Sequence, residues 1–396
     1  MERLIEIHQK KMHGTNLDFI RGDMDTIPWE MRLIGIKGAR GIGKTTLLLQ
    51  YAKKHLPSDS TLYVSLDNIW FSENKLVELA DRFAKRGGTH LLIDEVHKYP
   101  NWSQEIKNIY DDYPELKVVF TGSSLLQILN QRADLSRRAM PYNMQGLSFR
   151  EYLNMTQGTD FPALSLDDIL KKHGQIAKDI VRRIPPIKYF ETYLNKGYYP
   201  FFKESEVTYH DRIQEIVNMI IELELPLLRN VEVAYTNKLK QLLFIIAQAV
   251  PFIPNVSKLS ERIGVNRNTL LTYLHFLGQA ELTKNIFKQA VGISMLQKPD
   301  KLFLDNPNLV YALSMEKPNI GNLRETFFIS QLSKKHTINY TDKGDFLIDG
   351  KFTVEVGGKN KTSQQIRHVK NAFLAIDDIE YGFLNHIPLW LFGFLY

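Results

Sequence analysis

The chain has no cysteine among its 396 residues, which excludes disulfide frameworks, cysteine-ligated zinc and thiol nucleophiles in one step. Nucleophilic chemistry is left to water or a hydroxyl. Long apolar runs are missing too: the longest, such as Ile387 to Tyr396, are too short to span a bilayer. Met1 to Lys11 mixes Glu2, Arg3, Glu6 and His8 among its apolar residues and so lacks the h-region of a signal peptide. A cytoplasmic protein with no membrane contact is the expectation. Low-complexity tracts and short-period repeats are also absent, which argues against disorder over any long stretch. Charge of one sign is scarce. Of 50 basic and 44 acidic residues only +6 remains, which permits nucleic-acid contact without arguing for it.

What is present is an ordinary globular composition, 44% hydrophobic and 24% charged, in a chain long enough for two or three domains. Met31 to Lys37 reads as a buried strand, and the Gly-rich turn after it runs into an amphipathic helix from Lys44 to about His55. Strands follow at Thr61 to Leu66, Thr89 to Ile93 and Leu116 to Phe120, separated by helical patterns at Asn74 to Lys85 and around Trp102 to Tyr110. Alternation at this spacing predicts an α/β fold, a parallel sheet with helices on both faces and ligands at the carboxyl ends of its strands. From Arg150 to about Val250 the pattern is mostly helical, a lid or linker. Lys258 to Leu282 gives two helices around Gly264, and from Glu325 a helix, a hairpin at Phe346 to Ile348 and Phe352 to Val356, and a helix from Ser363 to about Leu374 suggest a separate α/β module.

Gly38, Ala39, Arg40, Gly41, Ile42, Gly43, Lys44 and Thr45, continued by Thr46, fit the phosphate-loop pattern G-x-x-x-x-G-K-[ST] between a strand and a helix. Glycines let backbone N–H groups curl around phosphates, and the helix N-terminus adds partial positive charge. Lys44 is the residue expected on the β and γ phosphates of ATP, with the Thr45 hydroxyl on Mg²⁺. Leu91 to Glu95 is an apolar strand ending in two carboxylates: Asp94 is placed to hold Mg²⁺, and Glu95 to polarise the attacking water. Ser123 stands where it would touch the γ-phosphate or cap a helix. Arg132, Arg137 and Arg138 are candidates for an arginine finger, in cis or from a neighbouring copy in a homo-oligomer, or for surface ion pairs.

Together with Phe120-Thr-Gly-Ser-Ser124, Gly146-Leu-Ser-Phe-Arg-Glu-Tyr152, Asp94-Glu-Val-His97, Trp102, Tyr189-Phe-Glu-Thr-Tyr-Leu194 and Leu270 to Leu282, these residues resemble a bacterial and archaeal AAA+ ATPase family with a C-terminal domain of unknown function. The resemblance covers most of the chain. It implies an AAA+ type sheet ordered fifth, first, fourth, third, second, then a helical lid, a winged helix-turn-helix and a terminal nuclease-like fold, with Arg138 matching the family arginine. The corresponding division is residues 1–150 for the ATPase domain, 151–235 for the lid or linker, 236–300 for the winged helix and 301–396 for the terminal module.

Leu259 to Leu274 reads as a helix-turn-helix, with Gly264 at the turn and Ile263, Leu270 and Leu274 buried together. Arg262, Arg267 and Asn268 are its candidates for phosphate or base contact with double-stranded DNA, although the apolar second helix suits packing or a protein partner. In the terminal module Glu325, Asp345 and Glu355 form a second candidate metal set. It resembles the PD-(D/E)XK nuclease core, except that glycine, Gly357, stands where that pattern has lysine. Lys359 and Lys361 are the substitutes within reach, and a binding role for a degenerate fold is the preferred reading over cleavage.

Overall fold

In the computed structural model, which describes residues 1–125, 135–248, 253–288 and 297–396, Met1–Gln145 and Gly146–Tyr396 form two compact units. The first begins with α1 (Glu2–Gly14) and then alternates β1 (Leu33–Lys37), α2 (Lys44–His55), β2 (Thr61–Ser65), α3 (Leu76–Lys85), β3 (His90–Asp94), α4 (Trp102–Asp112), β4 (Lys117–Gly122) and β5 (Met140–Asn143). The sheet order is β2-β3-β4-β1-β5 and every pairing is parallel, in agreement with the order implied by the resemblance. The central strands are continuous apolar runs because helices cover both faces. In α3, Leu76, Leu79, Ala80 and Phe83 are all buried, the spacing of one helical face.

Two features of this unit are invisible to hydrophobic periodicity. The edge strand β5 reads Met-Pro-Tyr-Asn and is largely exposed. Proline is tolerated there because an edge strand has one unpaired side. At the opposite edge, α1 lies against β2: Leu4 joins the core, and His8 Nδ1 accepts the Tyr63 backbone N–H at 3.1 Å. Burial lowers the pKa of His8, which keeps the ring neutral as this acceptor role requires.

The second unit opens with α5 (Phe149–Gln157), α6 (Leu166–Arg183), α7 (Pro186–Lys196), α8 (Tyr209–Met219), α9 (Leu225–Arg229) and α10 (Thr236–Gln248). The Gly146 to Tyr152 segment is structural here. Ser148 and Glu151 close a capping box on α5, and Arg150 donates to the Phe161 carbonyl. Next come α11 (Val256–Ile263) and α12 (Arg267–Gln279), joined through Gly264 at φ +70°, then the antiparallel pair β6 (Thr283–Ile286) and β7 (Lys301–Leu304). This hairpin straddles residue 300. On α12, Leu270, Leu271, Tyr273, Leu274 and Leu277 are buried, so its apolar side packs, while Arg262, Arg267 and Asn268 are exposed.

The chain continues through α13 (Pro307–Leu313), α14 (Ile320–Leu332), β8 (Ile338–Tyr340), β9 (Phe346–Ile348), β10 (Phe352–Gly357), β11 (Ala372–Ile376) and β12 (His386–Pro388). These strands make a sheet of order β12-β11-β10-β9-β8, antiparallel across β8, β9 and β10 and parallel beyond. The helix expected from Ser363 to Leu374 is corrected: a short 3₁₀ turn at Ser363–Ile366 gives way to β11. Asn371 at φ +55° ends any right-handed helix, and the apolar run after it pairs with β10 through Thr353↔Ala372 to Gly357↔Ile376. Sheet pairing overrides local helical spacing.

Candidate functional site

Chain geometry builds the phosphate loop at the carboxyl end of β1. Gly41 and Gly43 adopt φ +81° and +96°, a region that L side chains rarely occupy. A Cβ on Gly38 would lie 2.2 Å from the Met144 carbonyl oxygen, so no side chain fits at that crossing. Lys44 is buried, and its ammonium donates to the Gly38 and Ala39 carbonyls at 2.8 and 2.7 Å, inside the curl of the loop. Thr45 is half-buried and Thr46 exposed. Arg21, which sequence patterns did not single out, braces the loop from behind by donating to Ile42 O at 3.1 Å and Gln145 O at 2.9 Å.

The carboxylate of Asp94, 2% exposed, ends β3 under three hydroxyls. Thr45 Oγ1 donates to its Oδ2 at 2.7 Å, Tyr63 Oη donates to the same oxygen at 2.8 Å, and Thr121 Oγ1 donates to Oδ1. Sequence patterns give Tyr63 no role, and Thr121 none beyond its place in Phe120-Thr-Gly-Ser-Ser124. Tyr63 reads there as one more core residue of a strand, whereas Thr121 belongs to the polar end of β4 and carried a signal. Glu95 takes a left-handed backbone, φ +56°, with its N–H donated to Thr121 Oγ1 at 3.2 Å and its Oε2 3.5 Å from His97 Nε2. Strained conformations of this kind cluster at functional sites.

Ser123 lies just past the end of β4, level with the loop because Gly122 pairs with Lys37. Its Oγ accepts the Leu125 N–H at 3.2 Å, a local turn contact. Arg138 pairs with Asp111 in a forked contact, Nε to Oδ1 at 2.8 Å and Nη2 to Oδ2 at 3.1 Å. Since Ile34 is level with Met140, Arg138 precedes the amino end of the sheet, opposite the phosphate loop. It does not face this chain's own loop. Arg132 lies outside the described residues.

In the second unit, Glu325 on α14, Asp345 before β9 and Glu355 on β10 approach one another, but two ammonium groups stand among them. Lys301 Nζ is 3.7 Å from both Glu325 Oε2 and Asp345 Oδ1, and it sits over the Tyr340 and Phe346 rings at 5.4 and 5.6 Å. Lys361 Nζ is 2.7 Å from Glu355 Oε1, and its side chain fills the space that a Gly357 Cβ would need. Lys359, the other substitute, pairs with Asp378 at the surface. Among the described residues no group of three or more His, Asp or Glu side chains is arranged to hold a metal ion. The set does not fit a divalent cation as it stands, because Lys301 lies between Glu325 and Asp345 and Lys361 is paired with Glu355.

Burial first, and Asp345 second, raise the Glu325 carboxyl to about 7 from its ordinary 4.5. The folded chain then keeps a proton that the unfolded chain has lost, so this group makes stability fall as pH rises from 4.5 to 7. The loss approaches about 3 kcal/mol above pH 7. Urea unfolding of E325Q should accordingly show a smaller drop in stability between acid and pH 8 than the parent chain. An unchanged drop would mean that folding does not raise the Glu325 carboxyl.

By contrast, the first-unit set fits its expected ligands. Thr45 Oγ1 and the Asp94 carboxylate are hard oxygen donors of the kind Mg²⁺ prefers, beside a loop whose glycines leave room for phosphate. The five-stranded parallel sheet, with a phosphate loop after β1 and an acidic pair after β3, matches the arrangement of P-loop AAA+ ATPases. Residues 30–153 match a family model described as an AAA domain, so this unit carries an AAA+ ATPase-like domain. Residues 187–319 match one described as a domain of unknown function.

An uncharacterized protein of Methanocaldococcus jannaschii is 26% identical over 371 residues, covering 84% of this chain and 77% of its own. Among solved structures, the Saccharomyces cerevisiae Hsp104–ADP complex is similar with TM-score 0.33 and 15% identity over 70% of this chain, which spans 43% of the Hsp104 chain. The Aeropyrum pernix Orc1 protein in complex with DNA gives TM-score 0.32 and 14% identity over 80% of this chain and 91% of that one. No helix among the described residues is long and apolar enough to cross a membrane.

Proposed function

We propose that this chain binds and hydrolyses ATP with Mg²⁺, and that its nucleotide state controls C-terminal modules that bind double-stranded DNA or a protein partner. One observation carries the reading: Thr45 and Asp94 are hydrogen-bonded at 2.7 Å beside a glycine loop that encloses the Lys44 ammonium. Gly38 to Thr46 supply backbone and side-chain contacts to the phosphates, Thr45 and Asp94 hold the cation, and Glu95 serves as general base. The cation supplies charge stabilisation on the phosphates when bound. Lys44 and the loop amides bind and orient the nucleotide; Glu95 takes the proton from the attacking water. Ser123 is close enough to the loop's level to assist at the γ-phosphate. Arg138, turned away from its own loop, suits a neighbouring copy in a homo-oligomer as an arginine finger.

Residues 151–235 then act as lid or linker, residues 236–300 as a winged helix-turn-helix, and residues 301–396 as a nuclease-like fold used for binding. A cytoplasmic location accords with this. The exposed Arg262, Arg267 and Asn268 support a DNA partner. ATP turnover measured with and without plasmid DNA, following DNA integrity in the same tube, tests the reading. Turnover that duplex DNA changes, with the plasmid intact, is the expected result. Metal-dependent cleavage abolished by Glu355→Ala would instead identify an ATP-gated nuclease, and tight ATP binding without turnover a slow switch or scaffold.

A further inference from the structure

Asp94 is held more tightly than its expected role as a cation ligand requires. Of its three hydroxyl donors, Thr45 is itself an expected ligand of the cation, and Thr121 holds the other carboxylate oxygen while also accepting the Glu95 N–H. Tyr63 is not an expected ligand of the cation, and its phenol bonds Oδ2 directly. Its phenol reaches across from the neighbouring strand, where Ser65 is level with Asp94, and donates to Oδ2 at 2.8 Å. Once Thr45 turns to the cation, Tyr63 is the remaining hydroxyl on that oxygen.

The phenol is fixed from both ends. Tyr63 is 2% exposed, and its backbone N–H is tied to His8 of α1. Beside it a cavity of about 330 Å³ is lined by Leu4, Ile7, Lys11, Thr45, Asp94 and Glu95. Partners that orient a metal-ligating carboxylate commonly govern metal affinity as strongly as some ligands do.

We propose that Tyr63 is a positioning residue for the nucleotide-bound Mg²⁺, acting by fixing Asp94 Oδ2 in the orientation the cation needs. This rests on the ATPase reading above and adds a residue that acts through Asp94 rather than as a ligand of the cation. It also gives α1 a role: through His8 and Tyr63 the N-terminal helix bears on the metal ligand.

The test compares the full chain with Y63F, using a fluorescent ATP analogue with Mg²⁺ withheld or titrated, alongside ATP turnover. Metal-free nucleotide affinity should be the same in both chains. The Mg²⁺ concentration for half-maximal binding and turnover should rise about tenfold or more in Y63F. A merely structural tyrosine would not separate those two quantities. Should Y63F fail to fold, judged by its thermal unfolding, Thr121→Val removes the hydroxyl on the other oxygen and should raise the same Mg²⁺ requirement. Equal Mg²⁺ half-saturation in parent and variant overturns the inference while leaving the ATPase reading intact. A parent chain that binds no nucleotide at any Mg²⁺ concentration overturns both.

Discussion

Lys44→Ala is expected to weaken Mg²⁺–ATP binding by roughly 10- to 100-fold, since a hydrogen bond to a charged group contributes about 1.5–3 kcal/mol and this ammonium sits at the centre of the loop. The side chain is 6% exposed and points inward on the Gly38 and Ala39 carbonyls. No other lysine is buried in the loop; its remaining cation, Arg40, is only half-buried. The fold should survive, because α2 is anchored by Leu47, Leu48 and Ala52 on its buried face rather than by Lys44 alone. Titration with a fluorescent nucleotide gives the affinity, and thermal unfolding without nucleotide gives the control. An affinity within twofold of the parent chain would remove Lys44 from the site.

Much of this arrangement is legible in the residues themselves. A phosphate loop is a local device: its glycines, lysine and threonine are contiguous, and the strand and helix that hold it are strongly periodic. The acidic pair is legible because an apolar strand seldom ends in two carboxylates without purpose. What escapes is the part made by packing across the sheet. Tyr63 reads as one more residue of a buried strand, and only the parallel register of β2 with β3 puts its phenol on Asp94. The Arg138 side is similar: a local reading offers a finger, but the register of β5 with β1 puts the residue at the wrong end of the sheet for its own loop.

The second unit shows the same limit in a different form. Glu325, Asp345 and Glu355 were identifiable as a set from their elements, yet the residue that stands between the first two is Lys301, on a strand of the preceding hairpin. No motif spacing links it to them. Helical spacing from Ser363 onward likewise concealed β11, because the strand's stability comes from β10 and not from its own sequence.

The other large effect concerns Glu95. Replacement by glutamine keeps the size and leaves backbone interactions in place, including the N–H donated to Thr121 Oγ1, but removes the ability to accept a proton. General-base catalysis by a positioned side chain contributes about 10²–10⁴-fold. Single-turnover hydrolysis by Glu95→Gln should therefore fall by that factor while nucleotide affinity stays near the parent value. The separation of the two quantities is what distinguishes this residue from Lys44, whose loss acts on binding, and from Tyr63, whose loss acts on the Mg²⁺ requirement. His97 Nε2, 3.5 Å from Glu95 Oε2, would face a neutral amide in the variant. Full hydrolysis by Glu95→Gln would assign the proton transfer elsewhere, and the left-handed backbone at φ +56° would then serve only to turn the chain out of β3.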